Sequence, residues 1–237
     1  MTQREMVDEK MVSEMAQVGV IFGHKKSKTH PKMRPYIGAN RNEIELLKPE
    51  AVFDKLQKAG AFLREKINNG GLVLMVGTLP TSQESVKNFA EAFKFPHVIT
   101  RYLGGTLTNF KIMQKRLKYY QDLKNKKEKG ELGKYTKKEQ LQFAKELKKM
   151  ESKFEGLTNL TRIPDALFIV DIASHDIALR EAKRLKIPIV AIVDTNDNPH
   201  TVEYPIIGND HAKASIDWII GKMIELIKAE KKEVSAQ

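Results

Sequence analysis

Three short runs of uninterrupted apolar residues constrain this chain more than any other feature: LVLMVG at 72–77, DALFIVD at 165–171 and PIVAIVD at 188–194. A strand buried on one face alternates apolar and polar residues, whereas one buried on both faces does not. These runs therefore read as inner strands of a parallel sheet. Between and around them lie segments with helical spacing. In KPEAVFDKLQKAGAFLREKINNGG (48–71), Val52, Leu56, Ala59 and Leu63 make an apolar stripe, Pro49 suits a first turn, and Asn69-Gly70-Gly71 ends the helix. TLPTSQESVKNFAEAF (78–93) restarts a helix with Ser82 or Ser85 as a cap, HVIT (97–100) is a short strand, and HDIALREAKRLK (175–186) is a helix. VEYPII (202–207) is a fifth strand, placed at an edge by Pro205, and HAKASIDWIIGKMIELIKAEKK is the terminal helix. At the N-terminal end, Met11, Met15, Val18 and Phe22 predict an amphipathic helix over 6–22 that ends near Gly19 or Gly23. The β-α-β-α alternation predicts an α/β fold, a parallel sheet with helices on both faces.

Two segments depart from this alternation, and both are basic. The chain carries a net charge of +11, and 41% of its 237 residues are hydrophobic, enough for a real core. Residues 111–153 hold 15 Lys/Arg against 6 Asp/Glu, and residues 24–41 hold 6 Lys/Arg against none, so the rest of the chain is net acidic by four charges. Segregation of this kind points to a polyanionic partner more strongly than evenly spread lysine would. GHKKSKTHPKMRPYIGANRNE (23–43) has Gly, Pro and Asn punctuation and no period, and reads as an irregular loop with a short hairpin around Tyr36 to Ile44. In the second segment Phe110, Met113, Leu117 and Tyr120 are spaced 3, 4, 3, and Phe143, Leu147, Met150 and Phe154 are spaced 4, 3, 4, with EKGELGKYT between them. These are the two seams of an antiparallel helical hairpin.

The chemistry of an enzyme is thinly represented. Cys is absent, which removes thiolate nucleophiles, disulfides and Cys-based zinc sites. A parallel sheet binds ligands at the carboxyl ends of its strands. There this chain offers Gly77-Thr78, Gly104-Gly105, Asp171 and Asp194, but neither GxxxxGK[ST] nor GxGxxG. Asp171 and Asp194 end neighbouring strands and could share Mg²⁺, though a lone Asp after a buried strand is more often a turn former. His175 lacks a nucleophile nearby, and His24 and His30 lie among lysines. In RYLGGTLTNF (101–110), the glycine pair frees the backbone to turn, Thr106 or Thr108 can cap the following helix, and Arg101 and Asn109 flank a helix N-terminus able to receive phosphate. No run approaches the roughly 18 to 20 apolar residues that span a bilayer, and MTQREMVDEK lacks an apolar signal region, so a cytoplasmic protein is expected.

The motifs HPKMRPYI, RYLGGTLTNF, YTKKE, IPDALFIVD, IPIVAIVDTNDNP and PIIGNDHA occur here in the order found in the bacterial small-subunit ribosomal protein two family. The resemblance runs from about Met6 to Lys228. It implies a flavodoxin-like sheet of five parallel strands, with a body formed by 1–109 and 155–237 and a protruding coiled-coil hairpin inserted at 110–154. It implies no catalysis, cofactor, metal or small-molecule substrate. The implied place is the 30S subunit and 70S ribosome, between head and body, against 16S rRNA and neighbouring proteins, with a part in docking ribosomal protein one. The implied rRNA contacts are Lys25, Lys26, Lys28, His30, Lys32, Arg34 and Arg41 in the loop, Arg101 and Asn109 in the glycine turn, and Lys111 and Lys115 on the hairpin. Charge alone selects the loop and the hairpin. Two departures stand out: Leu79-Pro80 follow Gly77-Thr78 where the family usually has a basic pair, and FEGLTNLTR (154–162) lacks an expected glycine pair.

Overall fold

The computed structural model describes residues 9–229. Its centre is a five-stranded parallel sheet built from β4 (Val73–Val76), β5 (His97–Val98), β6 (Ala166–Val170), β7 (Ile189–Val193) and β8 (Tyr204–Ile207). Their order across the sheet is β5-β4-β6-β7-β8, so in chain sequence the second strand lies outside the first and the remainder follow in line. That is the flavodoxin-like order, with its reversal point between β4 and β6. All residues of β4, β6 and β7 are buried, as unbroken apolar runs require. Pro205 sits on the edge strand β8, where its missing N–H costs no ladder bond.

Helices flank the sheet. The 49–68 stripe forms α2 (Pro49–Asn68), with Val52, Leu56, Ala59 and Leu63 all buried. The Phe62 ring stacks on Tyr204 of β8 at 4.0 Å. α3 (Gln83–Phe93) follows β4, α6 (Asp176–Arg184) follows β6, and α7 (Lys213–Lys228) packs against both α2 and α3. The serine caps are not used as expected. Ser82 has helical backbone angles and its Oγ donates to the Leu79 carbonyl, while Ser85 is buried and its hydroxyl donates to Asp217.

The N-terminal helix is shorter than its periodicity suggests: α1 spans Glu9–Gln17, and the expected residues 6–8 lie outside the described region. Gly19 takes φ +82 and turns the chain, so Phe22 joins a strand, β1 (Phe22–Lys25), instead of the helix. β1 pairs with β3 (Ile44–Leu47), which pairs in turn with β2 (Ile37–Arg41), giving a three-stranded antiparallel sheet. The β2–β3 hairpin was legible from its punctuation. β1 was not, because FGHK has no alternation to read.

The second basic segment forms α4 (Phe110–Glu128) and α5 (Lys137–Phe154), joined through a tight turn at Glu131–Lys134. Met113, Leu117, Tyr120 and Leu123 of α4 and Leu147 and Phe154 of α5 are buried. Tyr120 and Phe154 bring their ring centroids to 6.3 Å. α5 opens with a reciprocal cap in which Thr136 and Glu139 satisfy each other's backbone N–H groups.

Candidate nucleic-acid interface

The basic loop is held from below while its cations face outward. Met33 is wholly buried and pins the loop to the core. At the carboxyl end of β7, Thr195 grips the loop twice: its Oγ1 accepts from the His24 backbone N–H at 2.7 Å and its carbonyl from the His30 N–H at 2.8 Å. Gly23 makes this approach possible, since a Cβ there would overlap the Thr195 side chain. Lys25, Lys26, Lys28, Lys32, Arg34 and Arg41 are all exposed. None of them forms an ion pair with a described carboxylate. His30 differs from the rest: it is half-buried and its Nδ1 accepts from the Lys32 N–H, capping a short helical turn over Pro31–Tyr36.

The same contrast holds for α4 and α5. Lys111 and Lys115 are exposed, and no cation of 111–153 is ion-paired to a described carboxylate. The body instead pairs many of its cations locally: Lys58 with Asp54, Lys87 with Glu91, Arg162 with Asp165, Arg180 with Asp176, Lys213 with Glu84 and Lys222 with Glu225.

The glycine turn is built differently from the sequence expectation. Arg101 and Asn109 are exposed, and Asn109 occupies the N-cap position of α4 without a side-chain cap bond. Thr106 is buried with its hydroxyl donating to the Leu103 carbonyl, so neither it nor Thr108 caps the helix. The backbone N–H groups of Gly105, Leu107 and Thr108 all donate to the carboxylate of Glu181 on α6. The turn's own N–H groups at these three positions are thus filled from within. Tyr102 also donates to Glu181, and burial, reinforced by that carboxylate, pushes its phenol well above the ordinary range.

At the carboxyl ends of β4 and β6 the enzyme reading finds little free chemistry. His175 Nδ1 donates to the Asp171 carbonyl at 2.7 Å, which leaves Nε2 to accept from the Thr78 N–H at 3.2 Å. Both ring nitrogens are therefore occupied structurally. Asp171 takes φ +63 and receives the Ser174 N–H and hydroxyl. Beside it lies an acidic pocket that sequence spacing did not reveal. Asp171, Asp197 and Asp210 each offer a carboxylate oxygen within 4.8 Å of the others, and all three are buried. Asp194, the expected partner of Asp171, instead receives the N–H and hydroxyl of Thr195 and lies 3.1 Å from His24 Nδ1.

The charges in this pocket are poorly compensated. Neither oxygen of Asp210 nor Oδ2 of Asp197 has a hydrogen-bond partner among the described residues. His211 Nδ1 lies 3.2 Å from Asp210 Oδ1, outside hydrogen-bonding geometry. Burial, then the neighbouring carboxylates, raises Asp197 to about 6 and Asp210 to about 9, and burial raises Asp194 as well. A group of buried carboxylates with imidazoles at its rim can take a proton or a cation.

The ribosomal protein S2 family profile matches residues 15–229. The chain belongs to the ribosomal protein S2 family. It is also 37% identical over 216 residues to the small ribosomal subunit protein uS2 of Coprothermobacter proteolyticus, a match covering 91% of this chain and 81% of that one. Membership makes it a structural, non-enzymatic component of the small ribosomal subunit. This agrees with a switch point whose His175 is locked in backbone bonds. Among the described residues no helix is long and apolar enough to cross a membrane.

Proposed function

We propose that this chain binds 16S rRNA through two cationic surfaces, the 24–41 loop and the outer faces of the α4–α5 pair, with Arg101 between them in sequence. The observation that carries the reading is the pairing contrast: six cations of the body pair with carboxylates, while none in the two basic segments pairs with a described carboxylate. An unpaired lysine neutralises a phosphate and releases its counterion, giving a fall of about 0.9 in log K per log unit of salt for each duplex phosphate. Specificity comes from shape, since several contacts on a rigid frame must meet the folded RNA together. The helix pair acts as a coiled-coil projection from the body. The 30S subunit and 70S ribosome are its place, and the net acidic body is the surface left for neighbouring proteins, ribosomal protein one among them, as the family resemblance implies.

The test is sedimentation of a tagged copy from lysate. The wild-type chain should co-migrate with small subunits, 70S particles and polysomes and be stripped partially at high monovalent salt. The triple variant Lys25→Glu, Lys26→Glu, Lys28→Glu should remain near the top of the gradient while keeping the wild-type circular dichroism. Normal incorporation of that variant would remove the loop from the interface.

The unpartnered carboxylates of Asp197 and Asp210 favour a second reading: the acidic pocket holds a divalent cation that Asp171, Asp197 and Asp210 ligate, with His24 and Asp194 beside it. Because His24 belongs to the basic loop, the cation would fasten that loop to the sheet. Zn²⁺, Mn²⁺ and Mg²⁺ should each be titrated against the purified chain by calorimetry and thermal melting. A melting shift lost in Asp210→Asn supports the site, and silence at millimolar metal leaves the pocket protonated instead.

A further inference from the structure

The turn at 101–109 has the form of an anion cradle, with the N–H groups of Gly105, Leu107 and Thr108 converging on one point. In other proteins such convergent amides receive phosphate. Here the point is taken by the side chain of Glu181, which is 9% exposed and also accepts from the Tyr102 hydroxyl at 3.3 Å. Gly105, at φ +86, gives the chain the path that aims its own N–H at the carboxylate. One turn later the Asn109 N–H donates to the Gly105 carbonyl at 2.9 Å, and α4 begins at Phe110. The shape of the cradle and the starting direction of α4 are therefore one structure.

We infer that Glu181 is the positioning residue of the helix pair: its carboxylate is a built-in anion that fixes the turn from which α4 departs, and so fixes where the cations of α4 and α5 are presented. Glu181 lies on α6, which leads out of β6, so the turn is fastened to the central sheet. Two further polar ties at the base of the pair are exposed: Thr100 Oγ1 to the Ser152 carbonyl at 2.6 Å, and Gln114 Nε2 to the Thr161 carbonyl at 2.9 Å. Charge-assisted bonds in a dry site are stronger and more directional than such exposed ones. This inference rests on the RNA-contact reading above for its functional consequence, but not for its geometry.

Because the chain contains no Cys, spin labels can be placed cleanly at Lys58→Cys on α2 and Lys126→Cys on α4 and their separation measured in the full chain. The wild-type chain should give one narrow distance distribution. Glu181→Ala should lose the narrow peak, and added acetate or formate should restore it by refilling the vacated cradle, while chloride at equal ionic strength should not. Affinity for 16S rRNA should fall roughly tenfold or more, because the second contact no longer arrives pre-oriented. A narrow peak that survives Glu181→Ala overturns the inference, as does broadening that no carboxylate reverses. A lost peak with unchanged rRNA affinity would uphold the positioning role and count against the α4–α5 contact with RNA. Should Glu181→Ala fail to fold, Glu181→Gln serves instead. It keeps one acceptor oxygen but sets an amide donor against the turn, so broadening is again expected and an unchanged peak again overturns the idea.

Discussion

At Asn42 and Glu43 the chain turns between β2 and β3 with positive φ at both positions, 51° and 64°. That is the two-residue hairpin geometry whose twist suits antiparallel strands, and its second position favours glycine. A glutamate held there stores strain of about 1–3 kcal/mol, partly offset by the backbone entropy that glycine would lose. Glu43→Gly should therefore stabilise the chain by about 1 kcal/mol, seen as a rise of roughly 2–4 °C in melting temperature. The Lys26 N–H to Glu43 carbonyl bond would be untouched, since it uses backbone alone. Gly23 predicts the opposite sign. A methyl group there meets the Thr195 side chain, so Gly23→Ala should cost about 1–3 kcal/mol and separate β1 from the end of β7. Chemical denaturation measures the loss, and backbone amide shifts at His24 and His30 report the separation. Neither position announced its role in the sequence. A glycine before a histidine reads as loop punctuation until the partner, here more than 170 residues away, is known.

Elements were far more legible than the contacts between them. α2 and the fully buried strands follow from periodicity and apolar runs, because each pattern reflects the burial of that segment alone. The edge position of β8 followed from one proline. What failed were features set by distant partners: the strand β1, which forms only beside β3, and the caps at Ser85 and Thr108, whose hydroxyl and backbone N–H are claimed by Asp217 and Glu181. The acidic pocket and Glu181 were missed for the same reason, since Asp171, Asp197 and Asp210 come from separate loops and Glu181 sits on a helix with no local signal. The cationic residues were readable because charge density is a property of the segment itself. For α4 and α5 the buried row can be tested directly. Leu147 is 5% exposed, and Leu147→Ala should cost about 2–5 kcal/mol within the pair. Hydrogen exchange should show faster opening across Phe110–Glu128 and Lys137–Phe154 while β4, β6 and β7 keep their protection. Uniform loss of protection would mean that the pair and the sheet unfold as one unit.

For the whole molecule, charge is divided between a free cationic exterior and a crowded acidic interior, and the two halves respond to solution conditions in different ways. The exterior responds to salt. The interior responds to pH, with a sign fixed by the direction of its shifts. Asp197 and Asp210 ordinarily titrate at 3.8 but hold their protons to about 6 and about 9 when folded, because burial and mutual repulsion disfavour the charged forms. The folded state therefore binds more protons than the unfolded chain. The stabilisation is fully present below 3.8 and is lost as pH rises through about 6 and then about 9. In metal-free buffer the folding free energy should decline over that window, by about 1.4 kcal/mol per pH unit for each proton retained. Asp210→Asn should flatten the upper part of the decline, because an amide has no proton to surrender. A divalent cation in the pocket would replace the protons and remove the slope at the alkaline end while leaving it at the acid end, where protons outcompete the metal. Melting curves across pH with chelator and with Zn²⁺ thus separate two origins of stability in one pocket. If the slope is the same with and without metal, the carboxylates hold protons alone, and His24 anchors the basic loop without the help of an ion.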